Sequence, residues 1–251
     1  MLGLTILIAS PGHSKPAGSL TSRPTPVETT LSEGLSTLPH GAYAYRPASA
    51  PEAGAALLVL LHGTDGRANQ IITAFRPVAD RRGCILLALQ SARWDWDMAD
   101  EVWREMNSMG REPSPEFGPD VARTDAVLLN LFATTSIDPK RVVLLGFSDG
   151  AGYALSLGLA NPDLFSGIIV LSGGFAKVPT RVDPRQRIFI AHGTRDERIP
   201  LNVVEHEIVA PLMRLGLNVR FKKFAGGHRI EGESLREGLE FTLGPLPGRA
   251  S

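Results

Sequence analysis

Wholly apolar runs recur along the chain, each closed by a glycine or a polar turn. Residues 56–61 (Ala-Leu-Leu-Val-Leu-Leu, then His62-Gly63), 84–89 and 141–146 contain hardly a polar position among them. Runs of this length without alternation predict strands buried on both faces. Residues 167–171, 187–191 and 218–224 predict three more, and the alternation of 41–46 suits an edge strand. Between the strands the apolar period lengthens. Ile71, Ile72, Phe75, Val78 and Ala79 form a helical stripe over 68–81 that stops at Gly83. Val121, Val127, Leu128 and Leu131 do the same over 120–133, and helices are predicted over 151–160 (ended by Asn161-Pro162), 203–215 and 231–241. Continuous apolar strands alternating with amphipathic helices predict an α/β fold, a mostly parallel sheet with helices on both faces. Such sheets bind ligands beyond the carboxyl ends of their strands.

Residues 10–40 carry no such period and are rich in Pro, Ser, Thr and Gly. An extended or disordered arm is therefore expected over 1–40, with one catalytic domain over 41–251. The full 251 residues suit a single α/β domain of roughly 250 residues. With 43% hydrophobic and 21% charged residues the composition is that of an ordinary globular protein. Lys+Arg and Asp+Glu number 26 each, so the formal charge is zero, which argues against nucleic acid or an anionic membrane as the main partner. No apolar run approaches the roughly 20 residues of a membrane span. The apolar stretch 2–9 lacks a preceding basic residue and a good cleavage site, so a cytoplasmic location is expected, with export as the alternative. Cys84 is the only cysteine, which excludes an internal disulfide or a cysteine-based zinc cluster, and its place in an apolar strand gives it a structural role. His-Glu-x-x-His, phosphate-loop and dinucleotide motifs are all missing, and neither cofactor nor metal is expected.

The chemistry gathers where strands end. Gly146-Phe147-Ser148-Asp149-Gly150 follows an apolar strand and precedes a helix of small residues. Its glycines permit a sharp turn that exposes a serine hydroxyl at a helix N-terminus, where the dipole favours negative charge. Ser148 is thus the candidate nucleophile, and it needs a base. His228, in Ala225-Gly226-Gly227-His228 between the last strand and the last helix, sits at the right edge of the sheet. His62 and His192 follow strands as His-Gly and are expected to brace loops, while His206 lies among charged residues on a helix face and His13 and His40 belong to the arm. Asp196, after the 187–191 strand and a glycine-containing turn, is the candidate orienting carboxylate. An oxyanion hole needs two donors. The backbone N–H of Asp149 and that of Thr64, in the loop His62-Gly63-Thr64-Asp65-Gly66, are the candidates, and the Asp149 carboxylate itself is expected at the surface.

Leu61-His62-Gly63-Thr64, Gly146-Phe147-Ser148-Asp149-Gly150, His192-Gly193-Thr194-Arg195-Asp196 and Gly227-His228 run in order across residues 41–241. In this the chain resembles α/β-hydrolases of the phospholipase/carboxylesterase group, near the dienelactone-hydrolase and polyhydroxybutyrate-depolymerase-like esterases. The resemblance implies a serine triad acting on a small-molecule carboxylic ester through an acyl-enzyme. Asp65 departs from the group, which often has a second small residue there. A thioesterase or polyester depolymerase uses the same parts, and a catalytically dead binding module is the reading outside catalysis. Neither the substrate nor the oligomeric state follows from these motifs. Residues 90–118 form an unusually long connection that holds all three tryptophans, Trp94, Trp96 and Trp103. Trp94 and Trp96, with Phe147 beside the nucleophile, are expected to line the substrate pocket, and Asp97 to cap a short helix carrying Val102, Met106 and Met109 and ending at Gly110.

Overall fold

A computed structural model describes residues 17–28, 31–98 and 116–246. Eight strands form one sheet: β1 Gly34–Thr37, β2 Tyr43–Arg46, β3 Ala55–Leu61, β4 Cys84–Leu89, β5 Ile137–Phe147, β6 Gly167–Leu171, β7 Arg187–Gly193 and β8 Asn218–Phe224. Their order is β1-β2-β4-β3-β5-β6-β7-β8. β1 and β2 join antiparallel at one edge, and every other pairing is parallel. The apolar runs behave as a doubly covered sheet requires: alternate side chains of one strand enter different cores. Leu57, Val59 and Leu61 pack with Tyr153, Leu157 and the helix residues Val127, Leu128 and Leu131. Leu58 and Leu60 pack on the opposite face with Ile72, Phe75, Val78 and Leu239.

Helices α1 Ala68–Arg82 and α5 Gly232–Leu243 cover this second face. On the first lie α2 Pro119–Thr134, α3 Asp149–Ala160 and α4, which runs through three consecutive segments, Leu201–Val203, Val204–Val209 and Ala210–Arg214. The middle segment of α4 is wound in wider π-type turns. Pro211 follows it, and a proline has no N–H for the regular i−4 bond and crowds that carbonyl, so a wider turn ahead of it relieves the conflict. Gly83 closes α1 in the left-handed region, with φ 60°. No helix among the described residues is long and apolar enough to cross a membrane. Register aligns the ends that matter. Leu61 pairs with Gly146, Phe147 with Leu171, and Leu171 with Ala191, so β3, β5, β6 and β7 finish at one level.

The sheet begins upstream of the boundary expected at Gly41, because β1 lies within the stretch read as an arm. Its four residues alternate between half-buried and exposed, which leaves no apolar run to read. Residues 18–23, in neither helix nor strand, dock onto the first face. The Asn161 side chain, beyond the end of α3, accepts the Leu20 N–H at 2.8 Å and donates to the Gly18 carbonyl at 2.8 Å. The Asp125 carboxylate accepts the N–H groups of Thr21 and Ser22, each at 2.8 Å. Asn161→Ala strands the buried partners of this amide, at a cost of about 1–3 kcal/mol. Denaturant unfolding is expected to report that loss, and hydrogen exchange at the Leu20 amide to accelerate with it.

Candidate active site

At the carboxyl end of β5 the chain turns directly into α3, and Ser148 holds the turn with φ 55° and ψ −125°. A serine in this region is strained and persists only where its surroundings over-determine it. The flanking glycines explain how. A Cβ on Gly146 would overlap the Gly150 carbonyl, and a Cβ on Gly150 would overlap the carbonyl of His62. The first turn of α3 therefore meets β5 on one side and the end of β3 on the other at separations only glycine allows.

Three loops converge on this serine. His228 Nε2 lies 2.8 Å from Ser148 Oγ, and His228 Nδ1 lies 2.8 Å from Asp196 Oδ2. Ser148, Asp196 and His228, far apart in the chain, thus form one hydrogen-bonded line. Asp196 is held from both sides: its Oδ1 accepts the N–H groups of Arg198 and Ile199 at 3.0 Å each. Burial opposes its charge, but the Ile199 N–H, His228 and the Arg198 N–H outweigh that and hold the carboxyl below its usual range. His192, fully buried, donates from Nε2 to the Ile199 carbonyl at 2.8 Å and lies 3.3 Å from Asp196 Oδ2. It braces the loop. Backbone bonds from Thr194 to Phe224 (2.9 Å) and from Arg195 to Gly226 (2.8 Å) tie the Asp196 loop to the His228 loop.

The loop after β3 is pinned equally firmly. His62 Nδ1 faces its neighbour's carbonyl, Gly63 O, at 2.8 Å, and Nε2 receives the Ser91 N–H at 3.3 Å, so the network assigns the proton to Nδ1. Burial lowers the His62 pKa. The Trp96 indole donates to the His62 carbonyl at 2.8 Å, and the Asp65 N–H to Trp94 O at 2.9 Å. Thr64 and Asp149 bring the two proposed oxyanion donors to the wall of one cleft of about 450 Å³, shared with Trp94, Ser148, Arg198, Ile199 and His228.

Several expectations change here. Asp149 is 4% exposed rather than at the surface, and its carboxylate accepts a short hydrogen bond from the Thr64 hydroxyl. The tight turn at Ser148 directs it inward, against the β3 loop. Trp94 is 48% exposed in the cleft wall, but Trp96, 1% exposed, does not line the cleft. Trp96 stacks on Tyr153 with ring centres 4.9 Å apart and spends its N–H on His62, so it supports the loop from beneath. Phe147 is also outside the cleft lining. Its ring backs His228, with centroids 5.2 Å apart, and packs with the second-face core. Asp97 Oδ2 accepts the Asp120 N–H at 2.7 Å and so binds the first turn of α2. The helix expected through Val102, Met106, Met109 and Gly110, with Trp103, lies outside the described residues. Burial pushes the Cys84 thiol up to about 11, in keeping with a structural role.

Two residues that no motif flagged belong to the site. Arg198 presents an exposed side chain to the cleft. Asp95, 1% exposed, lies 3.3 Å from the Thr64 hydroxyl through Oδ2. Burial, and then the Asp149 carboxyl, push Asp95 up to about 8.

Comparison with known proteins sets this geometry among relatives. Residues 48–243 match the family described as Phospholipase/Carboxylesterase. A poly(3-hydroxybutyrate) depolymerase of Ralstonia pickettii is 31% identical over 186 residues, covering 68% of this chain and 36% of the relative. An acyl-protein thioesterase 1 of Gibberella zeae is 32% identical over 123 residues, covering 45% of this chain and 52% of the relative. The chain thus spans about half or less of the length of these curated relatives. Among solved structures, a phospholipase/carboxylesterase from Dyadobacter fermentans superposes with TM-score 0.58 at 20% identity, over 82% of this chain and 97% of that one, a likeness of fold.

Gly193 tests how closely the loops must approach. A Cβ there would come within 2.5 Å of the Gly226 and Gly227 carbonyls, under His228. Gly193→Ala is expected to lower stability by about 1–3 kcal/mol through overpacking. With the imidazole displaced, fluorophosphonate should label Ser148 at least about tenfold more slowly, since a poorly placed base gives up much of its effect.

Proposed function

The chain belongs to the phospholipase/carboxylesterase family, and on that premise we propose that it is a serine hydrolase of carboxylic esters. The observation that carries the reading is the unbroken line from Ser148 Oγ through His228 to Asp196, with both links at 2.8 Å. In this reading His228 Nε2 takes the hydroxyl proton as Ser148 Oγ bonds to the ester carbonyl carbon. The carbonyl oxygen becomes an oxyanion and accepts hydrogen bonds from the N–H groups of Thr64 and Asp149, helped by the N-terminus of α3. Collapse breaks the bond to the alcohol oxygen, which leaves with the proton from His228. Water then repeats the sequence on the acyl-enzyme: His228 takes its proton, the carbonyl carbon gains its oxygen, and Ser148 recovers the proton. Asp196, kept ionised by three donors, stabilises the imidazolium in both halves.

The open cleft suits small or medium acyl and alcohol groups, with Trp94 as an apolar plate. Relatives are named as a depolymerase and a thioesterase, so thioesters and polyesters are tests of the substrate rather than of the mechanism. One observation favours hydroxy-acid oligomers as a second reading. The Arg198 guanidinium has no hydrogen-bonding or ionic partner among the described residues, and its backbone is fixed by the Asp196 carboxylate. A fixed cation in a cleft suits a substrate ending in a free carboxylate.

Fluorophosphonate is expected to label Ser148 alone, and Ser148→Ala to lose at least about a thousandfold in kcat while remaining folded by circular dichroism. Full esterase activity in the folded variant would end the reading and leave a binding module. A chain-length panel of p-nitrophenyl esters reads the cleft. Trp94→Ala should lower kcat/KM for long acyl chains by roughly threefold to tenfold more than for acetate, the value of a lost apolar contact. Arg198→Ala should penalise esters bearing a carboxylate and spare neutral esters of the same size, as a lost charge-assisted contact would. Equal effects on both classes would remove the oligomer reading.

A further inference from the structure

Thr64 places its hydroxyl between two buried carboxyl groups. Oγ1 makes a short hydrogen bond with Asp149 Oδ2 and lies 3.3 Å from Asp95 Oδ2. Asp95 is 1% exposed and Asp149 4%. Asp95 Oδ1 accepts the Trp96 N–H at 2.8 Å. A threonine hydroxyl has one proton to donate. If Thr64 gives it to Asp149, the contact with Asp95 is satisfied only when Asp95 brings a proton of its own. Among the described residues no lysine or arginine forms an ion pair with Asp95, and two buried carboxyls in hydrogen-bond reach cannot both carry charge cheaply.

We infer that Asp95 is a positioning residue, a neutral acid whose proton completes the chain Asp95–Thr64–Asp149 and so locks the β3 loop to the first turn of α3. That chain joins the two residues whose backbone N–H groups form the oxyanion hole, so the inference rests on the ester-hydrolase reading. It gives Asp95 no contact with substrate. Its effect is exerted through the placement of Thr64 and Asp149, and through charge. When Asp95 ionises, a second carboxylate appears beneath the site where negative charge must develop, and the link to Thr64 loses its donor. Turnover then falls on the alkaline side.

Among the described residues, the titratable and charged groups on the elements that meet near Asp95 are Asp149 on α3, His62 and Asp65 of the β3 loop, Arg93 and Asp97 of its own loop, and Asp120 at the start of α2, with His228 and Arg198 in the cleft that Thr64 and Asp149 line. Only Asp149 is within hydrogen-bond reach of it. His62 is turned to Gly63 and Ser91, and the Asp97 and Asp120 carboxyls take each other's backbone N–H groups. Loss of the Asp95 proton thus places a charge beside the Asp149 carboxyl, with no ion-pair partner for Asp95 among the described residues.

Asp95→Asn separates proton from charge. An amide keeps an acceptor for the Trp96 N–H and a permanent donor toward Thr64, and cannot ionise. With a neutral ester, wild-type kcat is expected to fall on one ionisation at alkaline pH with KM nearly constant, and that fall to be missing from Asp95→Asn. Asp95→Ala, which loses donor and acceptor together, should lower kcat by about tenfold or more at every pH, the scale of a disturbed oxyanion hole. A stability readout carries its own sign. The unfolded chain releases this proton near about 3.9 while the fold retains it, so wild-type stability declines as pH rises above that value. The stability of Asp95→Asn relative to wild type should therefore grow from acidic to neutral pH. Independently of activity, infrared spectra of the wild-type protein at neutral pH should contain the carbonyl stretch of a neutral carboxylic acid, lost in Asp95→Asn. An alkaline fall that is the same in both proteins, or a wild-type spectrum without that band, overturns the inference. Retained activity in Ser148→Ala would instead remove the hydrolase reading, and the infrared and stability measurements would still decide the protonation of Asp95.

Discussion

The site depends on one backbone constraint, the left-handed Ser148 at the junction of β5 and α3. Such a conformation costs of order 1–3 kcal/mol and must be held by its neighbours. Here β5 lies between β3 and β6 in the middle of the sheet, and the Ser148 N–H is taken by the Leu171 carbonyl at the end of β6. From the other side α3 is buried along nearly its whole length, so the helix cannot swing away to relax the turn. Strain stored between two immobile elements points the hydroxyl out over the carboxyl edge, and no other part of the site could be useful without it.

Around that fixed point the loops are positioned by hydrogen bonds rather than by apolar contact. Asp196 gathers two backbone N–H groups and the His228 imidazole, so the geometry of the acid loop and the orientation of that ring are set by one carboxylate. The β3 loop is held by a second set of polar contacts through His62, Trp96 and Thr64. Buried polar networks of this kind are worthwhile only when fully satisfied, because each orphaned group carries its whole desolvation cost. That is the physical reason the 90–98 segment matters to the site even though only Trp94 of its residues faces the cleft.

The parts of this arrangement visible in the sequence are those written in local pattern. Buried parallel strands are continuous apolar runs, and 84–89 and 167–171 coincide with β4 and β6, while 218–224, with its interleaved polar residues, coincides with the half-exposed edge strand β8. Ser148, Asp196 and His228 announce themselves by glycine-rich turns after such runs, and the structure brings the three together. β1 escaped because a half-exposed edge strand of four residues has no run to show. Trp96 is hidden for a different reason: in a loop without a period nothing tells which of two tryptophans two residues apart faces inward. The burial of Asp149 is invisible in the pattern because it follows from the turn angle at Ser148. Asp95 gave no signal at all, since its partner Thr64 is remote in sequence and meets it only when the β3 and β4 loops are laid side by side.

The same contrast separates what the sheet fixes from what it leaves free. Ser148 and Asp196 follow the buried strands β5 and β7, whose register is fixed by the sheet, and register cannot drift when both faces are buried. Trp94 and Arg198, by contrast, sit on connections whose side chains meet solvent, and a change there costs the core nothing. Asp95 and Thr64 fall between these extremes. They lie on loops, yet buried hydrogen bonds through the Asp149 carboxyl tie them to the first turn of α3. A substitution at either position must preserve the donor count as well as the shape, and this restricts the β3 loop far more tightly than its exposure to the cleft would suggest.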